Sequence, residues 1–300
     1  MSQLTPRALG VLQVILAGVC FGFLGVFGRG AFEVGLQATE LLGFRFLLAS
    51  LLTAALCGWR LGPRSLRVSR KELFHFALLG LLGYAVFSSF YFLSLQRLSI
   101  TLAVLLLYTF PIWVTLGGAL FFRDRLTWRQ LTSVPLALVG LTLLIGLDFQ
   151  IQQITGLVYG LTAAITYAAY ILLSGPWLRG RNPFVAILYI QLFAGLALFA
   201  AGFQSWTRAL QVLQLGWPMI LGLAIVCSVL AMSLFQAGLQ KIKPWEAALL
   251  SMSEPVVGIA LASLIFQEQL SALQILGAVL VLLAFVGVSR AKSPSSSRST

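Results

Sequence analysis

The chain has 300 residues, of which 59% are hydrophobic and 9% charged, and its formal net charge is +12. Its mean hydropathy of +0.97 excludes a soluble protein built around one core, so we expect the chain to lie in a lipid bilayer. A net charge of this size also occurs in nucleic-acid-binding proteins, but the distribution of the charges along this chain indicates membrane topology instead.

Apolar segments recur from the start of the chain to its end, and each can cross a hydrocarbon core of about 30 Å. Because the segments are almost continuously apolar rather than alternating, they predict helices and not the strands of a barrel. The predicted fold class is an all-α integral membrane protein with ten transmembrane helices at residues 9–28, 38–58, 74–95, 100–122, 130–147, 154–174, 183–203, 215–239, 245–266 and 270–289.

The sequence contains an internal repeat. Residues 95–130 align without a gap on residues 239–274, at a constant offset of 144, with ten identities that include Pro111 and Pro255. Each half then holds five segments, and an odd number of crossings inserts the second half in the opposite orientation. We predict two inverted five-helix repeats at residues 9–147 and 154–289, between a cytoplasmic N-terminus at 1–8 and a disordered cytoplasmic tail at 290–300.

The lysine and arginine residues predict the orientation in the membrane. With the N-terminus inside, sixteen of the twenty fall in inner loops or termini and three in outer loops, and Arg45 lies within a segment. This distribution is a strong positive-inside bias and predicts a bacterial inner-membrane protein with both termini cytoplasmic. The loop after the fourth segment, R-D-R-L-T-W-R-Q, is matched by Q-E-Q-L-S-A-L-Q after the ninth, as opposite orientations require.

Two charged residues lie within apolar segments, Arg45 in the second and Glu254 in the ninth. A charge near the middle of a bilayer costs at least about 2.5 kcal/mol, so both side chains are expected to face protein or water. One interpretation is a structural ion pair that joins these two helices. The other is that Glu254 binds a substrate amine or carries a proton. A structural role is favoured for Arg45, and both roles stay open for Glu254.

Polar and aromatic residues near the middle of the bilayer fall on a few helices that the repeat relates. Tyr84, Ser88 and Tyr91, for example, share one helix face. An apolar, aromatic cavity with a few hydroxyl and amide groups suits a small amphipathic or aromatic solute. We therefore predict a substrate-binding site formed by Tyr84, Ser88, Tyr91, Tyr108, Trp113, Tyr167, Met232, Gln236, Ser253 and Glu254.

Prolines and glycines predict where helices bend and approach each other. Pro111 and Pro255 occupy equivalent positions in the repeat, and a proline within a helix frees a backbone carbonyl and admits a bend, so we predict paired hinges there. Simple packing is the alternative. The motifs Gly18-x-x-x-Gly22 and Gly156-x-x-x-Gly160 predict close helix contacts and carry no information about the substrate.

Catalytic and metal motifs are absent from the sequence. The single histidine is His75, and the cysteines Cys20, Cys57 and Cys227 have neither metal nor redox spacing. We therefore expect neither an enzyme nor a cofactor or metal site. A channel is disfavoured because no filter sequence or ring of charge is present, and a scaffold role would leave the polar residues of the bilayer core unexplained.

Four sequence motifs stand out: L-L-G-F-R-F-L-L-A-S-L-L around Arg45, Q-R-L-S-I-T-L-A-V-L-L-L-Y-T-F-P around Pro111, S-M-S-E-P-V-V-G-I-A around Glu254 and F-Q-E-Q-L-S-A-L-Q-I-L-G-A around Glu268. They resemble the drug/metabolite transporter superfamily and, within it, the EamA-type exporters, with YddG-type amino-acid exporters the most similar. Asp124 departs from the family, which usually has a glutamate there. The sparse charge within the segments argues against highly anionic substrates.

The resemblance and the repeat together predict a secondary transporter that exports neutral or aromatic amino acids, or related small metabolites, by alternating access. Efflux of hydrophobic or cationic drugs by the same fold is the alternative. The expected partners are a small-molecule substrate, the lipid bilayer and, if Glu254 titrates, protons. Nucleic acid is not expected.

Overall fold

The structure is a computed structural model that describes residues 5–289 apart from Arg125, Asp148, Gln152 and Glu268. The side chains of Phe266 and of residues 287–289 are not described either. The tail predicted to be disordered, residues 290–300, and Glu268 therefore lie outside the described residues. Within the described ranges the protein is helical, and the one β-type pairing is an isolated bridge between Leu98 and Ile151.

The helices form ten spans, numbered here in chain order, and the all-α membrane fold is confirmed. Over the described residues, nine spans are long and apolar enough to cross a bilayer: Pro6–Glu33, Ala38–Leu61, Arg70–Leu95, Ile100–Phe122, Trp128–Ile145, Thr155–Trp177, Pro183–Gly202, Trp206–Leu239 and Pro244–Ile265. Span 10 is the apolar helix Ala272–Ser289, whose described side chains end at Val286. A short 3-10 helix, Pro63–Leu66, follows span 2.

Two predicted boundaries differ clearly from the structure. Span 8 begins at Trp206 rather than at residue 215, because the Ser205 hydroxyl caps the helix by accepting the Arg208 backbone N–H. Span 1 continues past residue 28 to Glu33 as a second helix. In both places the helix continues beyond the apolar run, which hydropathy alone does not detect.

Five spans are interrupted. Span 1 comprises Pro6–Gly22 and Leu24–Glu33, span 4 comprises Ile100–Leu107 and Phe110–Phe122, and span 9 comprises Pro244–Leu250 and Ser253–Phe266. Spans 3 and 8 contain π-helical segments, Leu81–Val86 and Leu223–Leu230. They separate Arg70–Gly80 from Phe87–Leu95 in span 3, and Trp206–Gly222 from Ala231–Leu239 in span 8.

The two halves share local details at the offset of 144 found in the sequence. Span 4 ends at Arg123 and span 9 at Gln267, and both residues have left-handed backbones, with φ of 55° and 57°. The first π-helical segment, moved by the same offset, falls within the second. Backbone irregularities are therefore repeated together with the sequence.

The packing of the spans follows a two-fold relation between the halves. Span 2 packs on its repeat mate, span 7, and span 5 packs on its mate, span 10. Span 1 packs on spans 8 and 9, while its mate, span 6, packs on spans 3 and 4. This pattern is the one expected when an axis in the membrane plane exchanges the halves, so the predicted inverted repeat is confirmed.

Glycines allow the closest crossings. A Cβ atom at Gly18 would overlap the Ser253 hydroxyl of span 9, and one at Gly22 would lie 2.7 Å from Val257 Cγ1. In the second half, a Cβ atom at Gly160 would lie 2.8 Å from Leu106 Cδ1 of span 4. Both predicted glycine motifs therefore lie at helix crossings, and the first brings span 1 against the start of the second helix of span 9.

Candidate functional site

A cavity of about 670 Å³ opens at one face of the helix bundle, the face where span 1 begins. Five basic residues line it together with Asp124 and Glu246: they are Arg7, Arg129, Arg179, Lys241 and Lys243. Arg7 is paired with Glu246 at 2.8 Å, and Lys241 Nζ donates to Gln13 Oε1 at 2.9 Å. Burial lowers the pKa of Lys241, which lies in the loop between spans 8 and 9.

The opposite face is held together by a bidentate ion pair between spans 2 and 8. Arg208 donates from Nε to Glu40 Oε1 at 2.7 Å and from Nη2 to Glu40 Oε2 at 2.8 Å. Arg208 Nη2 also donates to the Gly35 carbonyl, which ties the loop after span 1 to the same cation. A crevice of about 10 Å³ lies beside this pair, so the large cavity belongs to the other face.

The cavity leads toward the middle of the bundle. Its lining includes Gly175 of span 6 and Leu239 of span 8. Gly175 follows Ser174 directly, and Leu239 lies three residues after Gln236, which is less than one helical turn. The lining of the cavity therefore comes within one turn of the buried polar residues described next.

Stacked aromatic rings from spans 3, 4 and 6 surround the central region. The Tyr84 and Tyr170 rings are 4.8 Å apart and edge-to-face, and Tyr167 lies 4.9 Å from Phe87 and 4.8 Å from Phe110. These are the separations at which aromatic pairs stabilise each other. Tyr84 and Tyr167, two of the predicted site residues, belong to this aromatic cluster.

Gln236 of span 8 contacts span 6 of the same half. Its Nε2 donates to the Tyr170 hydroxyl and, at 3.4 Å, to Ser174 Oγ. Its other amide atom, Oε1, has no hydrogen-bond partner although the residue is 1% exposed. The hydroxyls of Ser233 and Ser253 are likewise buried without a partner. Among the described residues these three atoms are the unsatisfied buried side-chain polar atoms, and all belong to spans 8 and 9.

Glu254 faces tyrosines of both halves. The Tyr108 hydroxyl is close enough to its carboxylate to interact with it. Tyr91 and Tyr167 are close enough to interact with that carboxylate electrostatically. Four predicted site residues, Tyr91, Tyr108, Tyr167 and Glu254, are therefore brought together.

Arg45 does not form the predicted direct ion pair with Glu254. Its Nε donates to Ser228 Oγ at 2.7 Å and its Nη2 to the Cys227 carbonyl at 2.8 Å, both within the second π-helical segment. Glu254 acts on Arg45 through the longer-range electrostatic field. The guanidinium group is held by the hydrogen-bonding atoms that the π-helical backbone presents, and this replaces the predicted salt bridge.

Other predicted residues lie apart from this group or contact different partners. The Trp113 indole donates to Thr109 of its own span at 3.2 Å. Met232 Sδ accepts a hydrogen bond from Gln191 Nε2 at 3.3 Å, and Ser88 is buried in span 3. Ser253 lies against Gly18.

The two prolines lie just after interruptions of their spans. Tyr108 and Thr109 separate the helices of span 4, and Pro111 is in the first turn of Phe110–Phe122. In span 9 the break falls at Ser251 and Met252, ahead of Pro255. Tyr108 and Ser253 therefore lie at or beside the breaks; whether the prolines act as hinges stays a prediction.

The predicted binding set leaves out several polar residues of the centre. Tyr170 and Ser174 contact Gln236, and Ser233 is buried without a partner. Spacing could have found the first two, because Tyr167, Tyr170 and Ser174 recur at helical intervals on one face. The repeat offset places Ser89 opposite Ser233, which could have drawn attention to that position.

Comparison with protein families gives one description for both halves. The model of the EamA-like transporter family matches residues 8–146 and, a second time, residues 154–290.

Individual relatives match over much of the chain. An uncharacterized transporter of Archaeoglobus fulgidus is 27% identical over 278 residues, which cover 91% of this chain and 93% of that protein. A probable amino-acid metabolite efflux pump of Escherichia coli is 29% identical over 219 residues, covering 67% and 73% respectively. A protein of Salmonella typhimurium with the same name is 28% identical over 177 residues, covering 55% and 59%.

The fold also occurs among solved structures. A chain in a crystal structure superposes with a TM-score of 0.77 at 18% sequence identity, and the match covers 94% of this chain and 97% of the other. At this identity the likeness concerns the fold alone.

Proposed function

The chain belongs to the EamA-like transporter family, and from this premise we propose that it exports neutral or aromatic amino acids, or related small metabolites, across the bacterial inner membrane. The observation that carries the proposal is the group of buried, unpartnered polar atoms on Gln236, Ser233 and Ser253 beside an aromatic cluster. Buried polar atoms are normally paired, so unpaired ones mark a place where a ligand or water completes the bonding. The names of the two efflux pumps point to the same solute class.

The chemistry of this region suits such a solute. The rings of Tyr84 and Tyr167 offer apolar faces for an aromatic or aliphatic side chain. The Gln236 amide oxygen and the serine hydroxyls can bind an amine or a carboxylate through hydrogen bonds. Glu254, with Tyr108 beside it, would hold the amine or carry a proton. The proposed binding set is the predicted one, with Tyr170 and Ser233 added.

Alternating access would move this site between the two faces of the membrane. The cavity on the face of Arg7 provides entry, and the Glu40–Arg208 pair closes the other face. The positive-inside bias assigns the open face, and both termini, to the cytoplasm. The interrupted spans 4 and 9 would bend at the breaks before Pro111 and Pro255 as the halves rock about the site.

Efflux of hydrophobic or cationic drugs is the second candidate. The aromatic cluster and the Glu254 carboxylate would bind a lipophilic cation. Arg45, the basic residue within the spans' core, already donates to Ser228 and Cys227, so it is not poised to hold a carboxylate. The two candidates differ in one requirement: binding should depend on the solute's carboxylate if the protein exports amino acids, and should not if it exports cationic drugs.

Transport by purified protein in liposomes tests the proposal. We expect saturable uptake of labelled phenylalanine and leucine, competition by other neutral amino acids, and weaker competition by their amides. Inhibition by lipophilic cations with no uptake of any amino acid would favour drug efflux. Uptake that rises linearly with concentration would contradict a carrier and indicate a pore.

A further inference from the structure

The loop between spans 2 and 3 carries a dense group of cations that the transport proposal does not use. Within twelve residues it holds Arg60, Arg64, Arg67, Arg70 and Lys71, and all five are exposed. We call these five residues the basic loop. The net positive charge of this loop already helps to set the topology, but topology requires only that cations lie on one side of the membrane.

The cations of the basic loop lack acidic partners. Arg64, Arg67, Arg70 and Lys71 form no side-chain hydrogen bond or ion pair in the part of the chain that the structure describes, and Arg60 lies over the Trp59 ring at 4.9 Å. The nearby acid, Glu72, is already occupied by Arg181 at 2.6 Å and by the Ser69 backbone N–H. No carboxylate in this segment remains to neutralise the loop.

Several cations elsewhere on the same face have partners. Arg7 is paired with Glu246, Arg181 with Glu72, and Lys241 donates to Gln13. The basic loop therefore stands out as a concentration of unneutralised charge. Membrane topology does not explain why these five cations cluster without acidic partners.

Two exposed aromatic residues place the basic loop at the level of the lipid headgroups. Trp59 in the last turn of span 2 is 76% exposed, and Phe74 in the second turn of span 3 is 63% exposed. Exposed tryptophans at span ends lie at the membrane–water interface. The cations between these two positions are thus at the depth of lipid phosphates.

The loop has a defined shape rather than a free one. Pro63–Leu66 form a 3-10 helix, the Ser65 hydroxyl donates to the Gly62 carbonyl at 2.7 Å, and the Tyr189 hydroxyl of span 7 donates to the Leu66 carbonyl. The Tyr189 contact fastens the loop to the second half of the protein. Fixing the backbone in advance lowers the entropy cost of holding a ligand there.

From the charge, depth and fixed shape we propose that the basic loop is a binding site for the anionic headgroup of a phospholipid such as phosphatidylglycerol. Clusters of four to eight Lys and Arg residues next to a membrane span attract anionic lipids in this way. Because Tyr189 belongs to the second half, an occupied loop would also brace span 3 against span 7.

Native mass spectrometry of the full-length protein in detergent tests the site directly, with phosphatidylglycerol and phosphatidylcholine titrated separately. We expect phosphatidylglycerol to bind in preference, and the triple variant Arg64→Gln, Arg67→Gln, Arg70→Gln to lower that affinity by about 10-fold to 100-fold. The triple lysine variant at the same positions should keep most of the affinity, because it keeps the charge.

A control variant that removes the same number of cations elsewhere distinguishes a specific lipid site from general electrostatic attraction between protein and lipid. The variant Arg290→Gln, Lys292→Gln, Arg298→Gln removes three cations from the C-terminal tail. It should leave phosphatidylglycerol binding unchanged. Equal losses in the loop and tail variants, equal binding of the two lipids, or displacement of the lipid by sodium phosphate at the same concentration would each contradict the proposal. An unchanged unfolding temperature verifies that the loop variants are folded.

Discussion

Arg45 Nε donates a 2.7 Å hydrogen bond to Ser228 Oγ, across the interface between the two halves. Ser228 occupies in the second half the position that Tyr84 occupies in the first, and each lies in a π-helical segment. Arg45 also interacts electrostatically with Tyr84. One buried cation therefore contacts the second irregular segment and interacts electrostatically with the first. π-Helical segments within α-helices are frequent at functional sites.

This relationship predicts a stability effect for Arg45→Met. The change leaves the Cys227 carbonyl and the Ser228 hydroxyl without their donor in a buried region, which costs about 1–3 kcal/mol for each unsatisfied group. We expect a clearly lower unfolding temperature in detergent. Arg29→Met, at an exposed pair with Glu33, is the control and should change it little. Equal stability of the two variants would mean that Arg45 does not support the π-helical segment.

The glycine crossing of spans 1 and 9 predicts a second effect. Gly18→Ala places a methyl group on the Ser253 hydroxyl, so we expect loss of folded protein or a displaced span 9 with reduced transport. Gly25→Ala is the matched control in the same span, because nothing lies within 4 Å of a Cβ atom there. Size-exclusion chromatography and transport measure both. A wild-type profile for Gly18→Ala would show that this crossing is looser than the structure has it.

The repeat explains why so much of the fold could be predicted. The ten apolar runs, each long enough to cross the bilayer, determine the number of spans. The constant offset assigns five spans to each half, and because five is odd, the second half is inverted. The start of span 8 could not be predicted from hydropathy, because capping by Ser205 and the pairing of Arg208 extend the helix beyond its apolar run. Helix propensity and capping residues determine where a helix starts, whereas hydropathy is averaged over a whole segment and does not locate its first residue.

The site was predictable in part for a similar reason. Depth in the bilayer singled out Glu254 and its tyrosine neighbours, because a midplane charge needs nearby polar groups. The partner of Arg45 was not predictable, since the hydrogen-bonding groups of Cys227 and Ser228 become available only through a π-helical backbone. Neither apolar periodicity nor hydropathy marks that irregularity in the sequence.

The Glu40–Arg208 pair predicts how the closed face is held. Glu40→Gln, Arg208→Gln and the double variant should each lower the unfolding temperature, and the double variant should be no worse than the worse single one, because the residues share one interaction. Additive losses would mean that the residues act independently and that this pair does not close the face.

Glu254→Gln tests the role of the central carboxylate. Loss of a charge-assisted hydrogen bond to an amine should raise the KM for amino acids by about tenfold or more. If Glu254 instead carries the proton, the variant should lose its response to a pH gradient while its KM changes little. Glu33→Gln, at an exposed residue, should behave as wild type. Normal KM and a normal gradient response together would remove Glu254 from the site.

The most direct test of the central claim is the binding of labelled phenylalanine to purified wild-type protein and to Gln236→Leu. The change removes the amide that contacts Tyr170 and carries the unpartnered Oε1, so we expect binding to fall by about tenfold or more, with size-exclusion chromatography verifying that the variant is folded. Gln204→Leu is the control, because this amide contacts Gln37 at the closed face and lies outside the proposed binding set. Unchanged affinity in Gln236→Leu would contradict a solute site between the halves.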